Sequence, residues 1–283
     1  MASAEILRII DVGSSKQDAP EDFDSSCEPP TPRNEPRRRN HSATAKLALW
    51  PGPETSHEIV AFGEAVPLIR VDNVAAPERL DPRVVLLSDP TSEAARSYRL
   101  LRHRLLGLGD PRAIAVTSAR AGEGKTTCAV NLALALAEDA TSQVLLLEAN
   151  LRHPIAARLF GFEPYDSILG AAIRTRSIAP PYPVTAVVGT RMHLAALASE
   201  PSPGARLDRS IFAPLISDLR EVYDYIVIDA GSVLESGDAD IAGECSSGVI
   251  VTARAGKSRK PDVRRAVDQL RPTAVFGTVL IDA

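Results

Sequence analysis

Two hydrophobic periods run through the chain downstream of Pro82. Short, unbroken apolar runs read as buried strands: Ala113–Thr117, Val144–Leu147, Tyr225–Ile228, Gly248–Thr252 and Val275–Ile281, with Met192–Leu197 as a further candidate. Between them, apolar residues recur at helical spacing. Ser92–Leu106 places Tyr98, Leu101 and Leu105 on one side, with Thr91 or Ser92 to cap its start and Gly107 and Gly109 to stop it. Thr126–Ala137, rich in Ala and Leu, reads as an amphipathic helix, and Ile211–Val222 and Pro261–Leu270 as two more. Shorter helices are expected over Pro154–Leu159 and Ser167–Arg174, the rest of Tyr165–Arg191 reads as loop, and Val84–Leu87 is a short apolar segment of no assigned type. Strands alternating with helices predict an α/β fold: a three-layer sandwich whose mostly parallel sheet carries helices on both faces.

Upstream the pattern fades. Asp11–Glu54 holds Pro20, Pro29, Pro30, Pro32, Pro36, Pro51 and Pro53 among many Ser, Asp and Glu. Such a stretch buries too little apolar surface to offset its ordering entropy, and it is predicted to be disordered. Its cluster Arg37-Arg38-Arg39 reads as a solvated linker charge run. His57–Ile69 has enough Val, Ile, Leu and Phe for one short docked strand. The chain is thus expected to divide into an N-terminal region, residues 1–81, largely a disordered linker, and a globular domain, residues 82–283.

Composition changes this picture little. With 45% hydrophobic and 24% charged residues the chain can build a sizeable core, and a formal charge of −4 gives no global demand for nucleic acid or an anionic surface. Cys27, Cys128 and Cys245 have neither metal-ligand nor disulfide spacing, which suits a reducing compartment. The start shows no basic region followed by a long apolar run, and the apolar runs fall short of the ~20 residues a spanning helix needs. The expected location is therefore cytoplasmic, with the chain not integral to a membrane. No Ser-His-Asp, zinc or paired-carboxylate constellation stands out, and His153 reads as a helix-start residue.

The chemistry concentrates in Ala119-Arg-Ala-Gly-Glu-Gly-Lys-Thr126, between a strand pattern and a helix pattern. Phosphate binding wants several backbone N–H groups turned to one point, and Gly122 and Gly124 let the chain take that shape. The following helix aims its positive end at the same place. Ala121, Gly122, Glu123, Gly124, Lys125, Thr126 and Thr127 are the expected nucleotide contacts, with Lys125 on the β- and γ-phosphates and Thr126 on Mg²⁺. The full P-loop pattern has Gly where this chain has Ala119, a small residue. Asp229, at the end of Tyr225–Ile228, is the expected carboxylate partner of the metal.

Ser118–Thr127 resembles the P-loop of bacterial tyrosine kinases of the MinD/ParA class of ATPases, and Glu93-Ala-Ala-Arg96-Ser-Tyr-Arg99 is similar to that family's E-x-x-R-x-x-R element. The resemblance covers residues 82–283. It implies ATP and Mg²⁺ as cofactors, self-association into a ring or dimer through Glu93, Arg96 and Arg99, and a membrane-embedded polysaccharide co-polymerase as activating partner at the inner face of the membrane. It implies a role in exopolysaccharide or capsule synthesis and export. The enzyme reading is a non-receptor protein-tyrosine kinase of the bacterial type, or a weak ATPase.

Four departures qualify that reading. The family's D-x-D-x-R is here Glu148-Ala149-Asn150-Leu151-Arg152. Glu148 keeps the charge and is expected as metal ligand and base, whereas Asn150 cannot accept a proton as a general base. Arg152 is expected to neutralise phosphate or to pair with Glu148. The family's D-x-P-P is Asp229-Ala-Gly-Ser232, and the V-L-N near the adenine is Val279-Leu280-Ile281-Asp282. The last tyrosine is Tyr225, so the tyrosine cluster that ends many such kinases is missing from this sequence. Weak or lost kinase activity with ATP binding retained is the expectation. Arg120 occupies the place of the class's signature lysine, which reaches a partner's nucleotide. The alternative is a ParA/MinD-like positioning ATPase, for which the basic stretch Arg254, Lys257, Arg259, Lys260, Arg264, Arg265 and Arg271 would bind DNA or membrane. Asp262, Asp268 and the net charge speak against it, and nucleic acid is not the expected partner.

Overall fold

The computed structural model describes residues 6–10, 68–75, 80–109, 111–164, 167–197 and 204–282. The expected disorder over Asp11–Glu54 and most of the expected strand over His57–Ile69 lie outside these residues. In chain order the strands are β1 (Ile6–Ile10), β2 (Ile69–Ala75), β3 (Ala113–Ser118), β4 (Val144–Glu148), β5 (Tyr182–Val187), β6 (Met192–Ala195), β7 (Tyr225–Ser232), β8 (Gly248–Arg254) and β9 (Val275–Asp282). The helices are α1 (Val85–Ser88), α2 (Glu93–Leu106), α3 (Lys125–Ala137), α4 (Ala156–Leu159), α5 (Ile168–Thr175), α6 (Arg209–Val222), α7 (Asp238–Glu244) and α8 (Lys260–Gln269).

The sheet runs β1-β9-β8-β3-β7-β4-β6-β5-β2. It is parallel except at β1–β9 and β5–β6. The α/β expectation therefore holds, with a mostly parallel sheet and helices on both faces. Alternation along the strands divides the core. Ile114, Val116, Val144 and Leu146 pack under α1, α2 and α3. Ala113, Ala115, Leu145 and Leu147 pack under α5, α6, α7 and α8.

α2 starts as its sequence dictates, Ser92 Oγ accepting from the Ala95 amide, and buries Ala94, Ala95, Tyr98, Leu101 and Leu105. α3 differs from the amphipathic reading: every residue from Lys125 to Ala137 is buried. Its Ala and Leu side chains face the sheet on one side and α2 on the other, so no polar stripe is needed. Asn131, fully buried, donates to Arg83 O (2.7 Å) and Thr127 O (2.9 Å) and accepts from the Leu86 amide (3.3 Å), tying the α1 segment to α3.

Four elements were not expected from the pattern. β5 falls in a segment read as loop, because Pro180, Pro181 and Pro183 mask a strand whose inward positions are Tyr182 and Val184. α7 carries Asp238, Asp240 and Glu244 and is too short to show a helical period. β1 and β2 arise upstream of residue 82, so the sheet draws on the stretch assigned to the N-terminal region.

Candidate functional site

The site lies at the C-terminal end of β3, which sits between β8 and β7 at the centre of the sheet. The chain leaves β3 at Ser118 and enters α3 at Lys125. Gly122 (φ +76°) and Gly124 (φ +89°) take left-handed backbone there, the conformation a Cβ penalises. Gly124 caps α3 without a side-chain bond, which leaves first-turn amides to the concave side of the loop. A cleft of about 1090 Å³ opens over this turn, with Gly122, Gly124, Lys125, Thr126 and Thr127 in its wall.

Asp229 is fully buried. Thr126 Oγ1 donates to its Oδ2 at 2.8 Å, while its Oδ1 is buried with no hydrogen-bond partner among the described residues. Burial pushes its carboxyl up to about 6, against the nearby Lys125 charge and the Thr126 bond. A threonine hydroxyl and an orphaned carboxylate oxygen beside a P-loop are the donor set a hard divalent cation takes. β7 runs past Asp229 to Ser232, longer than the Tyr225–Ile228 expected, because Thr117 Oγ1 bonds Gly231 O and the Val233 amide bonds Ser118 O.

Glu148 is placed differently from its expected role. It pairs with Asp229 across the β4–β7 ladder, yet its oxygens are turned into backbone amides. Oε1 accepts from Ile155 and Ala156, both at 2.7 Å, and Oε2 from Leu197 at 2.9 Å. Burial lifts its carboxyl to about 7, helped by the Asp229 charge and opposed by those amides. The side chain thus holds the start of α4 and Leu197, the second residue after β6, and none of its bonds reaches Thr126 or Asp229. Asn150 Nδ2 donates to His153 O at 2.7 Å and closes the turn between β4 and α4. Arg152, expected to meet Glu148 or phosphate, is exposed and makes no ion pair among the described residues, since Glu148 is already satisfied by backbone. His153 instead reaches the cleft wall.

Glu123 is 2% exposed and braces the loop: Oε2 accepts from the Arg120 amide (2.9 Å) and Oε1 from Ser258 Oγ (2.6 Å). The Arg120 guanidinium pairs with Asp262 of its own chain at 2.8 Å, rather than standing free for a partner. Of the α2 residues, Glu93 and Arg96 are exposed and unpaired among the described residues. Arg99 is bound within the chain, to Glu138 (2.6 Å) and Pro90 O (2.7 Å). Sequence reasoning missed Lys257 at the loop, because it lay in a basic stretch weighed only for the alternative DNA- or membrane-binding reading.

No family model matches the chain. Among curated proteins it is 30% identical to the tyrosine-protein kinase CpsD of Streptococcus pneumoniae (serotype 4) over 195 residues, 66% of this chain and 84% of that one. The chain belongs to the bacterial tyrosine-protein kinase family. It is also 27% identical to the tyrosine-protein kinase YwqD of Bacillus subtilis over 198 residues, covering 68% of this chain and 81% of that one. The succinoglycan biosynthesis transport protein ExoP of Rhizobium meliloti matches at 27% over 222 residues, 74% of this chain and 27% of that one. Among solved structures, the chimerical protein CapA2B2 superposes with TM-score 0.63 at 20% identity, covering 77% of this chain and 94% of that one. The BceF tyrosine kinase domain superposes with TM-score 0.59 at 22% identity, covering 77% and 93%. These two likenesses bear on the fold alone. Among the described residues no helix is long and apolar enough to cross a membrane.

Proposed function

We propose that this chain binds ATP with Mg²⁺ and acts as a cytoplasmic, tyrosine-kinase-like regulator of exopolysaccharide or capsule synthesis and export, its own phosphotransfer weak or lost. The observation that carries the binding part is the Thr126–Asp229 pair, with Asp229 Oδ1 buried and unpartnered among the described residues, beside Lys125 and the loop amides. Thr126 and Asp229 would hold Mg²⁺, which when bound offsets charge on the phosphates. Lys125, 5% exposed beside that pair, supplies a cation for the phosphate oxygens. Weak transfer follows from the neighbouring motif. Glu148 has its oxygens committed to three amides and Asn150 is locked to His153 O, so neither is free to take the proton of an incoming tyrosine hydroxyl.

The polysaccharide role rests on the relatives' names, ExoP among them. A membrane-embedded co-polymerase is the proposed activating partner and would recruit the chain to the inner face of the membrane. Self-association would use the exposed Glu93 and Arg96 of α2. The division into a linker and a P-loop domain is part of the same proposal, with β1 and β2, which pair into the sheet, counted with the domain.

The test is titration calorimetry of ATP with Mg²⁺ on the full chain and Lys125→Met, followed by a phosphotyrosine immunoblot with and without the co-expressed membrane partner. Binding by the parent chain that Lys125→Met loses, with little phosphotyrosine on the isolated chain, is the expected outcome. Absence of binding at millimolar ATP would sink the reading. Strong Lys125-dependent phosphotyrosine on the isolated chain would sink its weak-transfer part.

A further inference from the structure

The loop between β8 and α8 lies across the P-loop and is fastened to it. Ser258 Oγ donates to Glu123 Oε1 at 2.6 Å and accepts from the Arg254 amide at 2.8 Å. Arg120 pairs with Asp262 just beyond, at 2.8 Å. Next to Ser258, Lys257 Nζ donates to Gly122 O at 3.1 Å. The ammonium stands where a Cβ on Gly122 would project, and Lys257 shares the cleft wall with Lys125 and Thr126.

Two physical points set this contact apart from a simple staple. An ammonium has three donors, and among the described residues only one is used, on Gly122 O. A neutral carbonyl is also a weaker partner than a phosphate oxygen, because charge-assisted bonds are roughly twice as strong as neutral ones. Ser258, bonded to Glu123 and to the Arg254 amide, fastens the loop backbone, so Lys257 reaches Gly122 from a fixed base. Glu123 is buried and doubly bonded, so the anchor does not need solvent-exposed partners.

We propose that Lys257 is a phosphate-binding residue of this site: a second cation, supplied by the same chain, that exchanges the Gly122 carbonyl for a phosphate oxygen of the nucleotide. The Ser258–Glu123 bond sets its position. This inference rests on the reading of the cleft as an ATP site. It also accounts for Arg120, which is held by Asp262 while a lysine from another loop covers the glycine turn.

The experiment is calorimetric titration of ATP with Mg²⁺, at two ionic strengths, on the full-length parent and on Lys257→Met, Lys257→Gln, Lys257→Arg and Lys125→Met. Gln still donates to Gly122 O but carries no charge, which separates a phosphate contact from a loop staple. Met and Gln should both weaken binding about tenfold, the loss expected for one charge-assisted hydrogen bond. Both should flatten the salt dependence, because one ionic contact fewer is screened. Arg should recover most of the affinity, and melting temperatures without nucleotide should match the parent. Parent-like affinity in Gln, or in all three Lys257 variants, overturns the proposal while binding that Lys125→Met abolishes leaves the ATP reading standing. A parent chain that does not bind ATP, or a Lys125→Met variant that binds as well as the parent, overturns both.

Discussion

At the residue scale, the site holds two buried carboxylates with opposite duties. Asp229 keeps one oxygen unpartnered among the described residues, and Glu148 spends both on backbone. Truncating Glu148 strands three buried N–H groups. Glu148→Ala should therefore cost roughly 2–4 kcal/mol in urea unfolding, a loss of structure before any loss of chemistry. Asp229 has a different signature. Its folded carboxyl titrates near 6, above its ordinary value of 3.8, so between those values the unfolded chain releases a proton that the folded chain retains. Its contribution to stability is fully present below about pH 4 and declines as pH rises toward 6. In EDTA without nucleotide, Asp229→Asn removes that decline. The melting temperature of the variant minus that of the parent should climb as pH goes from 4 to 7; a flat difference would contradict the assigned burial. Gly122→Ala meets both a left-handed φ and the Lys257 ammonium, so it should weaken ATP binding more than Gly109→Ala, which meets no neighbouring atom, weakens it.

At the element scale, α2 serves two surfaces that the spacing of Glu93, Arg96 and Arg99 did not separate. Arg99 and Arg102 close on Glu138 at the end of α3, while Glu93, Arg96 and Leu100 face outward. Arg99→Ala should lower stability by about 0.5–1.5 kcal/mol through the lost Glu138 and Pro90 bonds. Glu93→Ala with Arg96→Ala should leave the melting temperature unchanged and shift sedimentation velocity toward the monomer. The opposite assignment of effects would refute this division of the helix. Periodicity revealed α2, α6 and α8 because each is long enough to show its apolar face, and the run of Ala and Leu revealed α3, which is buried all round. It revealed the P-loop because Gly122, Gly124, Lys125 and Thr126 are contiguous. It could not reveal that Glu148 would bond Leu197 or that Lys257 would bond Gly122, since both contacts join segments far apart in sequence through the order of parallel strands. β5 stayed hidden for a local reason: prolines mark loops in the interior of a sequence pattern, and Pro183 has no N–H to give to a ladder.

At the scale of the whole molecule, the sheet puts its chemistry at the centre and closes its edges with chain from far upstream. β3, β7 and β8 carry the P-loop, Asp229 and the Lys257 loop, each supported by a strand on both sides. The outermost positions belong to β1, paired with β9, and β2, paired with β5. An exposed strand edge is a row of unpaired amides and carbonyls, open to another chain. β9 also carries Ile281, whose side chain lies against Gly124 at the head of α3, so disorder at that edge reaches the phosphate loop. A chain beginning at residue 80 would leave β9 and β5 as the edges. Losing ladder bonds worth about 0.5–1.5 kcal/mol each should cost several kcal/mol. At roughly 2–4 °C per kcal/mol for a domain of this size, the melting temperature should fall by about 5–15 °C. Light scattering should show aggregation beginning below the melting temperature of the parent. Because β3, β7 and β8 keep their neighbours, ATP affinity measured at low temperature should fall less than the stability does. A truncated chain that melts with the parent and stays monodisperse would mean that these upstream strands add nothing to the sheet. One that loses ATP binding outright would mean that the edge, through Ile281, governs the site.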